Sequence, residues 1–403
     1  MIPALRHEFN SNFTPQKYRA FLDGMERACG VPVKFRLCET PCFFPKPLLN
    51  RMSQYGSELI AQLVHNPRYH AISNQSIPAE FNVPREDSHP LFVQVDFGLI
   101  RDAAGHLQPR LVELQGFPSL YAYQAELARQ YRRAYDLDDD LCHFLGGLNE
   151  STYTQLLRRA IVGDHDPENV ILMEIDPQEQ KTLPDFILTE RMCGIKSVCV
   201  GDIEKEGRHL FYRDDGRRIP IHRIYNRAIV DELVRKGKKL AFSFRDDLDV
   251  EWAGHPNWFF RLSKFSLPYL HHSCVPKTWF LDRVTELPHD LDNYIVKPLY
   301  SFAGLGIVIG PTRETIDRIP PEDRSRFVLQ ERMRFEPLIE TPAGKTQDEV
   351  RIMFIWLDEL LPVLTIIRMG RGVMMGVDHN RDLEWVGASA GLYPSGEELT
   401  LRF

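Results

Sequence analysis

Residues 291–306 carry groups that suit phosphate binding. Their pattern predicts an apolar strand that ends in Lys297-Pro298, followed by a loop of small residues that contains Gly304 and Gly306. A lysine at the end of a buried strand can neutralise phosphate charge, and the backbone N–H groups of such a loop can fold over the phosphates. The pattern indicates a nucleotide site. The alternative is a lysine whose stem lies along apolar surface while its ammonium reaches water.

Candidate metal ligands lie in two stretches nearer the N-terminus. Asp96 is in FVQVDFGLI (92–100), and Glu113 and Gln115 are in PRLVELQGFPSL (109–120). Both stretches have the β-branched and aromatic content of strands, and the i, i+2 spacing places Glu113 and Gln115 on one strand face. Carboxylate and amide oxygens are the ligands that Mg²⁺ takes. Exposed strand residues beside a hairpin are the alternative, although an unpaired charge in an apolar strand is costly.

The remaining patterns alternate between helix and strand periodicity. They predict helices over 14–30, 46–65, 119–148 and 257–272, a helix at 184–194, and strands at 107–117, 168–176, 195–202, 218–227, 294–298, 327–333, 349–357 and 360–370. The last two strands are apolar and are predicted to form an antiparallel pair that turns at Asp358-Glu359.

The order of these patterns predicts a mixed α/β fold. Strands alternate with helices over about 150–250, which favours a small parallel α/β domain built from βαβ units. We expect three parts. They are 1–150, with the first helices and the carboxylate strands, 151–255, which is the small α/β domain, and 256–403, with Lys297 and the last two strands.

Residues 260–385 resemble the ATP-grasp fold read in order. Lys264 in RLSK precedes VPKTWF and resembles the entry to the first lobe, and Lys297 in YIVKP resembles the second phosphate-contacting lysine. SFAGLG resembles the phosphate loop, and VLQERM resembles the hinge that pairs with adenine. Arg351 in DEVRIMFIW and Arg368 in TIIRMGRG resemble the two strand arginines of that fold.

In the family the metal-binding strands follow the strand that carries the second arginine. In this chain their counterparts lie nearer the N-terminus, before residues 260–385. VDFGL and PRLVELQGFPSL resemble the family's Asp strand and Glu-x-Asn strand, with Gln115 in place of the Asn. This order is similar to the circularly permuted ATP-grasp group that includes glutathionylspermidine synthase-like proteins, with the small α/β domain inserted. It predicts that the strands of Asp96 and Glu113 share a sheet with those of Arg351 and Arg368.

The resemblance implies ATP and Mg²⁺ as cofactors, bound by a defined set of residues. The implied contacts are Lys264, Lys297, Ser301, Ala303, Gly304 and Gly306 to phosphate, Gln330, Glu331 and Met333 to adenine, Glu336 to ribose, and Asp96, Glu113 and Gln115 to metal. For Lys264 an exposed helix position, and for Glu336 an edge-strand position, is an equally good explanation.

Three arginines are candidates for substrate contacts. Arg351 and Arg368 lie on apolar strands, where an arginine needs an anionic partner. The resemblance implies that they contact the transferring phosphoryl group and the carboxylate, so with Lys297 they are the candidate catalytic residues. Arg227 ends a predicted strand of the α/β domain, where such sheets bind ligands. A structural salt bridge explains any one of the three arginines equally well.

The implied activity is that of an ATP-grasp carboxylate–amine/thiol ligase. It would join a small-molecule acid to an amine through an acyl phosphate and release ADP and phosphate. An ATP-dependent phosphotransferase and a non-catalytic nucleotide-binding module are the alternatives. A stable phosphorylated product formed without a second substrate would indicate the first, and loss of the metal ligands would indicate the second.

The overall composition argues against some classes of partner and some locations in the cell. The 43% hydrophobic and 26% charged residues are typical of a soluble globular protein, and the net charge of −7 argues against a nucleic-acid partner. No stretch is long and apolar enough to span a bilayer, and the first residues lack the apolar segment of a signal peptide. The seven cysteines include no CxxC pair. We therefore expect a cytoplasmic enzyme with reduced thiols.

Overall fold

The computed structural model describes residues 1–300, 306–372, 375–376, 380 and 382–396. The α-helices in these ranges are α1 (Pro3–Asn12), α2 (Pro15–Cys29), α3 (Lys46–Val64), α4 (Pro67–Ser73), α5 (Tyr121–Tyr135), α6 (Glu150–Val162), α7 (Leu183–Cys193), α8 (Val230–Lys236), α9 (Asn257–Arg261) and α10 (Arg313–Asp317). None of these helices has the length and apolar content needed to cross a bilayer.

The strands alternate with these helices along the chain. They are β1 (Cys42–Phe43), β2 (Phe92–Arg101), β3 (Leu107–Gln115), β4 (Leu141–Cys142), β5 (Val170–Glu174), β6 (Lys196–Cys199), β7 (Glu204–Glu206), β8 (His209–Asp214), β9 (Arg217–Ile221), β10 (Arg223–Asn226), β11 (Glu251–Ala253), β12 (Thr278–Phe280), β13 (Tyr294–Pro298), β14 (Val308–Ile309), β15 (Phe327–Glu331), β16 (Ile339–Thr341), β17 (Gly344–Trp356), β18 (Leu360–Gly370), β19 (Gly387–Ser389) and β20 (Gly391–Pro394).

The central sheet joins the two ends of the chain. Its strands are antiparallel in the order β19-β18-β17-β2-β3, and β16 pairs with β17. Arg351 on β17 lies opposite Asp96 on β2, and Asp96 lies opposite Glu113 on β3. Arg368 is on β18 of the same sheet. This confirms that the strands of these four residues share one sheet.

One face of the central sheet packs on α3. Val95 and Ile352, which lie opposite each other on β2 and β17, belong to one buried cluster with Ile60 of α3. Gly56 allows the helix to approach closely, since a Cβ there would lie 2.7 Å from the ring of Phe354. Burial of this apolar face, at about 25 cal/mol per Å², holds the two distant strands together.

The opposite face is covered only in part. Met353 and Ile355 pack against Tyr121 of α5 in a second buried cluster. Successive residues of a strand point to opposite faces. Asp96 and Arg351 therefore lie on the same face as Met353, beyond the part that α5 covers.

A small antiparallel sheet stands next to the central one, in the order β12-β15-β13-β14. Val296 and Leu329 face a core of their own on one side of this sheet. Ile295 and Lys297 alternate with Val296 along β13, so they point to the other side. That side faces the cavity described below.

The α/β part contains a parallel sheet in the order β11-β10-β5-β6, with α6 and α7 packed beside it. This confirms the predicted parallel βαβ arrangement. The prediction of a single strand over 218–227 is wrong. β9 ends at Ile221 and belongs to an antiparallel sheet with β7 and β8, whereas β10 begins at Arg223 and joins the parallel sheet.

Two predicted helices are shorter than expected. α5 ends at Tyr135 because Asp136 takes a left-handed conformation, with φ 55°, and the residues up to 148 include the short strand β4. The helix predicted over 257–272 is interrupted after α9. Ser263 caps the N–H of Phe265 to begin a 3-10 helix over Lys264–Tyr269, which contains a proline.

A buried ion pair ties α5 to the parallel sheet. Arg227, just after β10, donates from Nη1 to Asp185 Oδ2 of α7 at 2.6 Å, and the two side chains are 2% and 1% exposed. Asp185 also accepts the backbone N–H groups of Leu120 and Tyr123 at the start of α5. One carboxylate thus positions the residues that follow β3.

This pair gives a stability prediction. Asp185→Asn should lower the free energy of unfolding by about 3–5 kcal/mol, because it leaves the Arg227 guanidinium buried without its counter-charge. The matched control is Asp358→Asn, which breaks an exposed pair with Arg159 at 2.8 Å and should change the free energy of unfolding little, because water screens the pair. Denaturant unfolding of both variants measures this. Equal losses would contradict the role given to the buried pair.

Candidate functional site

A cavity of about 630 Å³ lies between the uncovered part of the central sheet, the small sheet and the segment that contains α9 and the 3-10 helix after it. We call it the main cavity. The predicted site residues that line it are Glu113, Gln115, Lys264, Lys297, Met333, Arg351 and Arg368, together with Glu349.

Strand register brings the charged residues of the central sheet together. Asp96 lies between Glu113 and Arg351 on its two neighbouring strands, and Glu349 lies opposite Arg368. Side chains directly opposite each other on one face have Cβ atoms about 4.5–5.5 Å apart. The residues therefore form a compact group although they come from distant parts of the chain.

Asp96 is the centre of this group and has no exposed surface. Its Oδ1 accepts from Arg351 Nε at 2.5 Å, and its Oδ2 accepts from Arg351 Nη2 at 2.6 Å and from Arg368 Nη2 at 2.5 Å. Burial opposes the charge of Asp96, but the two guanidinium groups outweigh it and lower its pKa. Both oxygens are engaged, so Asp96 orients two arginines and is not among the described residues that line the main cavity.

Glu349 is the second carboxylate partner of Arg368, with which it forms an ion pair. It lines the cavity and is 7% exposed. Burial raises the pKa of Glu349 to about 7, and the Arg368 guanidinium offsets only part of this rise. Arg368 is thus held between two carboxylates.

Glu113 faces the cavity among cations. Its Oε2 lies 3.6 Å from Lys264 Nζ, and its Oε1 lies 3.9 Å from Arg351 Nη2. Gln115 donates to Oε1 from its side-chain amide. Burial raises the pKa of Glu113, but the neighbouring cations outweigh this and lower the pKa overall. Glu113 is therefore an ionised oxygen donor on the cavity wall.

Lys297 brings an ammonium group from the small sheet to the same place. It is 5% exposed, and its Nζ donates to the carbonyl of Val112 on β3 at 3.3 Å. Burial lowers the pKa of Lys297 to about 8, which the carboxylate of Glu113 opposes. A lysine held in this way is charged at neutral pH and gains from an anion placed beside it.

The lining as a whole is strongly cationic. Its acidic residues in the described part are Glu113 and Glu349, and its basic residues are Lys264, Lys297, Arg332, Arg334, Arg351, Arg368 and Arg371. Seven positive against two negative side chains favour a polyanion. Lysine and arginine both bind phosphate groups, the latter with two parallel hydrogen bonds.

An apolar slot adjoins these cations. Ile295, Ile309, Met333 and Phe335 line it from β13, β14 and the segment that follows β15. Phe335 lies over Gly98 of β2, where any Cβ would collide with its ring. A flat apolar group with an anionic tail would fit the slot and the cations together.

Other predicted site residues lie outside this group. Arg227 is paired with Asp185, as described above, and is not among the described lining residues. This geometry matches a structural ion pair, the alternative that the sequence left open.

Three further residues predicted to contact the nucleotide, Gln330, Glu331 and Glu336, are not among the described residues that line the main cavity. Gln330 is fully buried and donates to Thr278 Oγ1 at 2.9 Å. Glu331 lies 3.7 Å from Lys277 Nζ, and Glu336 forms an exposed pair with Arg101 at 3.1 Å. Of the predicted hinge residues, Met333 lines the cavity.

The predicted phosphate loop is only partly described. Ser301, Ala303 and Gly304 lie outside the described residues. Gly306 is exposed and has φ 73°, a conformation that favours glycine.

The structure also reveals residues that the sequence patterns did not single out. Gln94 is fully buried, accepts from Arg351 Nη1 at 2.9 Å and donates to the carbonyl of Ser119 at 2.8 Å. Its i−2 spacing from Asp96 places it on the same strand face, which was the available signal. Arg332 and Arg334 directly follow the hinge strand, and only the folded chain shows that they reach the cavity.

A second cavity, of about 460 Å³, lies beside β11 and the C-terminal end of β17. Its lining includes His89, Trp252, His255 and Trp356. None of the described residues predicted for the site lines it.

Comparison with known proteins points to the fold. No family model and no curated protein matches the chain. Among solved structures, the chain is similar to the apo form of a glutathione synthetase-like effector from Globodera pallida, with a TM-score of 0.61 and 11% sequence identity. The match covers 94% of this chain and 98% of that one. At this identity the likeness is one of fold, and it indicates a glutathione synthetase-like fold for nearly the whole chain.

Proposed function

We propose that the protein is an ATP-dependent carboxylate–amine ligase, which forms an amide through an acyl phosphate and releases ADP and phosphate. The observation that carries this proposal is the main cavity, where an apolar slot adjoins seven cationic side chains. Adenine suits the slot and a triphosphate suits the cations. The glutathione synthetase-like fold supports the same class of chemistry.

The nucleotide would lie between the two sheets. Ile295, Ile309 and Met333 would contact the base, and Lys264 and Lys297 would contact phosphate oxygens. Backbone groups near Met333 would pair with the base, as proposed from the hinge pattern.

A single Mg²⁺ fits the donors on the cavity wall. Glu113 is ionised and faces the cavity, with the Gln115 amide beside it. Mg²⁺ is commonly held by one or two carboxylates plus phosphate oxygens and water. Asp96 does not fit this role, because both of its oxygens are bonded to arginines. When bound, Mg²⁺ would neutralise charge on the phosphate oxygens.

The chain's own residues would position the two substrates and balance charge. A carboxylate oxygen of the acid attacks the γ-phosphorus of ATP, and the bond to the ADP oxygen breaks. The amine nitrogen then attacks the carbonyl carbon, phosphate leaves with the electron pair of the C–O bond, and the amine loses a proton. Arg351 and Arg368, fixed by Asp96, would orient the acid and stabilise the phosphoryl oxygens.

The order of the strands supports a circularly permuted ATP-grasp arrangement. β2 and β3 come first in the chain, yet they extend the sheet that β17 and β18 begin. In the family these two strands would follow β18. We propose on this basis that 151–255 is a domain inserted between the two halves of the site.

The first prediction from this proposal concerns nucleotide binding. Mg²⁺ with a non-hydrolysable ATP analogue should stabilise the wild-type protein by about 2.7 kcal/mol at a hundredfold excess over Kd, and Lys297→Met should remove most of the thermal shift. Lys277→Met is the matched control, because the Lys277 side chain is 74% exposed and directly precedes β12 of the same small sheet. No shift in the wild type, or an equal shift in Lys297→Met, would refute the proposed site.

The second prediction concerns pH. The pKa of Lys297 in the folded protein is about 8, which lies below the ordinary lysine value of 10.5. Between these two pH values the unfolded chain binds more protons than the folded one. The contribution of Lys297 to the free energy of unfolding therefore rises as the pH increases above 8. Nucleotide binding needs the ammonium form and should weaken by up to about tenfold per pH unit over the same range.

Titration of Mg²⁺-free ATP from pH 7 to 9 by calorimetry measures this weakening. Lys297→Arg is the control, since arginine keeps its charge throughout. Its affinity should fall much less with pH than that of the wild type, because the ionisation of Glu349, whose pKa is about 7, is then the main change left in the described lining. Parallel profiles for wild type and Lys297→Arg would contradict the assignment.

A further inference from the structure

One face of β2 defines the order of groups along the main cavity. Gln94, Asp96 and Gly98 alternate on this face and span roughly 13 Å at about 3.3 Å per residue. Gly98 lies against the Phe335 ring, Asp96 accepts hydrogen bonds from Arg351 on the neighbouring strand, and Gln94 is bonded to the segment after β3. Three parts of the cavity therefore follow each other along β2. They are the proposed base site at Gly98, the phosphoryl centre at Asp96, and a third end at Gln94.

The third end of the cavity, next to Gln94 and Ser119, is connected to the phosphoryl centre by hydrogen bonds. Gln94 joins them directly, because its amide bonds both Arg351 Nη1 at 2.9 Å and the carbonyl of Ser119 at 2.8 Å. Gly116 donates to the carbonyl of Leu262 at 2.9 Å, and a Cβ there would collide with the neighbouring backbone. A substrate bound at this end would lie next to the arginines that hold the acid.

Apolar side chains form the walls of this end. Phe117 and Phe259 meet edge to face, with ring centroids 5.5 Å apart, and Ile229 and Leu262 complete the surface. Ile229 follows β10 at the carboxyl edge of the parallel sheet, where such sheets bind ligands. We call Phe117, Ser119, Ile229 and Phe259 the distal subsite.

Charge decides which acceptor suits the distal subsite. In the described lining the two carboxylates, Glu113 and Glu349, are already paired with Lys264 and Arg368. None of the four described residues that define the distal subsite carries a negative charge, so the additional ammonium groups of a polyamine would lie there without an anionic partner. A simple amine avoids this, and nearby cations favour the neutral free base that acts as the nucleophile.

We propose that the distal subsite binds the amine substrate and that this amine has an uncharged apolar body, aromatic or branched aliphatic. This inference rests on the proposed ligase function. The free-base nitrogen forms the C–N bond, the C–O bond to phosphate breaks, phosphate leaves with the electron pair, and the amine's proton passes to solvent.

The test measures amine binding by calorimetry to the full chain saturated with Mg²⁺ and the ATP analogue. Phenethylamine should bind at least tenfold more tightly than spermidine or ethanolamine. Ile229→Asn should weaken phenethylamine binding at least tenfold. Ile229 is the N-cap residue of α8 and has no side-chain cap bond, so asparagine, a favoured N-cap, should keep the fold.

Val234→Asn is the matched control, because Val234 is 65% exposed on α8 and away from the cavity. It should bind phenethylamine and spermidine as the wild type does. The inference is overturned if spermidine or ethanolamine binds as tightly as phenethylamine, if no amine binds, or if Ile229→Asn binds phenethylamine normally. Failure of the wild type to bind the nucleotide analogue would instead overturn the proposed function.

Discussion

The pairing of Asp96 with Arg351 and Arg368 is the interaction on which the site depends. Two guanidinium groups held close together in a buried place repel each other, and the carboxylate between them offsets that repulsion. The contact exists only because β2 pairs with β17, which brings together Asp96 and Arg351 from positions 255 apart in the sequence. Removing one partner of such a pair costs about 3–5 kcal/mol. The same contact therefore joins the two parts of the sheet and presents the arginines to the cavity.

The rest of the cavity follows from the alternation of side chains on β2. Gln94 connects Arg351 to Ser119, and Gly98 leaves room for Phe335. A shift of one residue in the register of β2 would exchange all of these side chains for the apolar ones that pack on α3. The apolar core beneath the sheet thus fixes the register, and the register fixes the arrangement of charges above it.

Features of the fold that depend on local periodicity or on the order of motifs could be predicted from the sequence. The shared face of Glu113 and Gln115 follows from the strand period, and the joining of four distant strands follows from the resemblance. The sequence could not identify the partners of its buried charges. An apolar strand shows that Asp96 and Arg227 need counter-charges, but it does not show that these are Arg351 and Asp185, because only tertiary packing brings them together.

The central claim is that the slot between the two sheets binds the adenine of ATP. Photolabelling with 8-azido-ATP, followed by peptide mapping, tests it most directly. The account predicts labelling in peptides that contain Ile309 or Met333, abolished by excess ATP. Competable labelling at the second cavity instead, near His89 or Trp356, would contradict it.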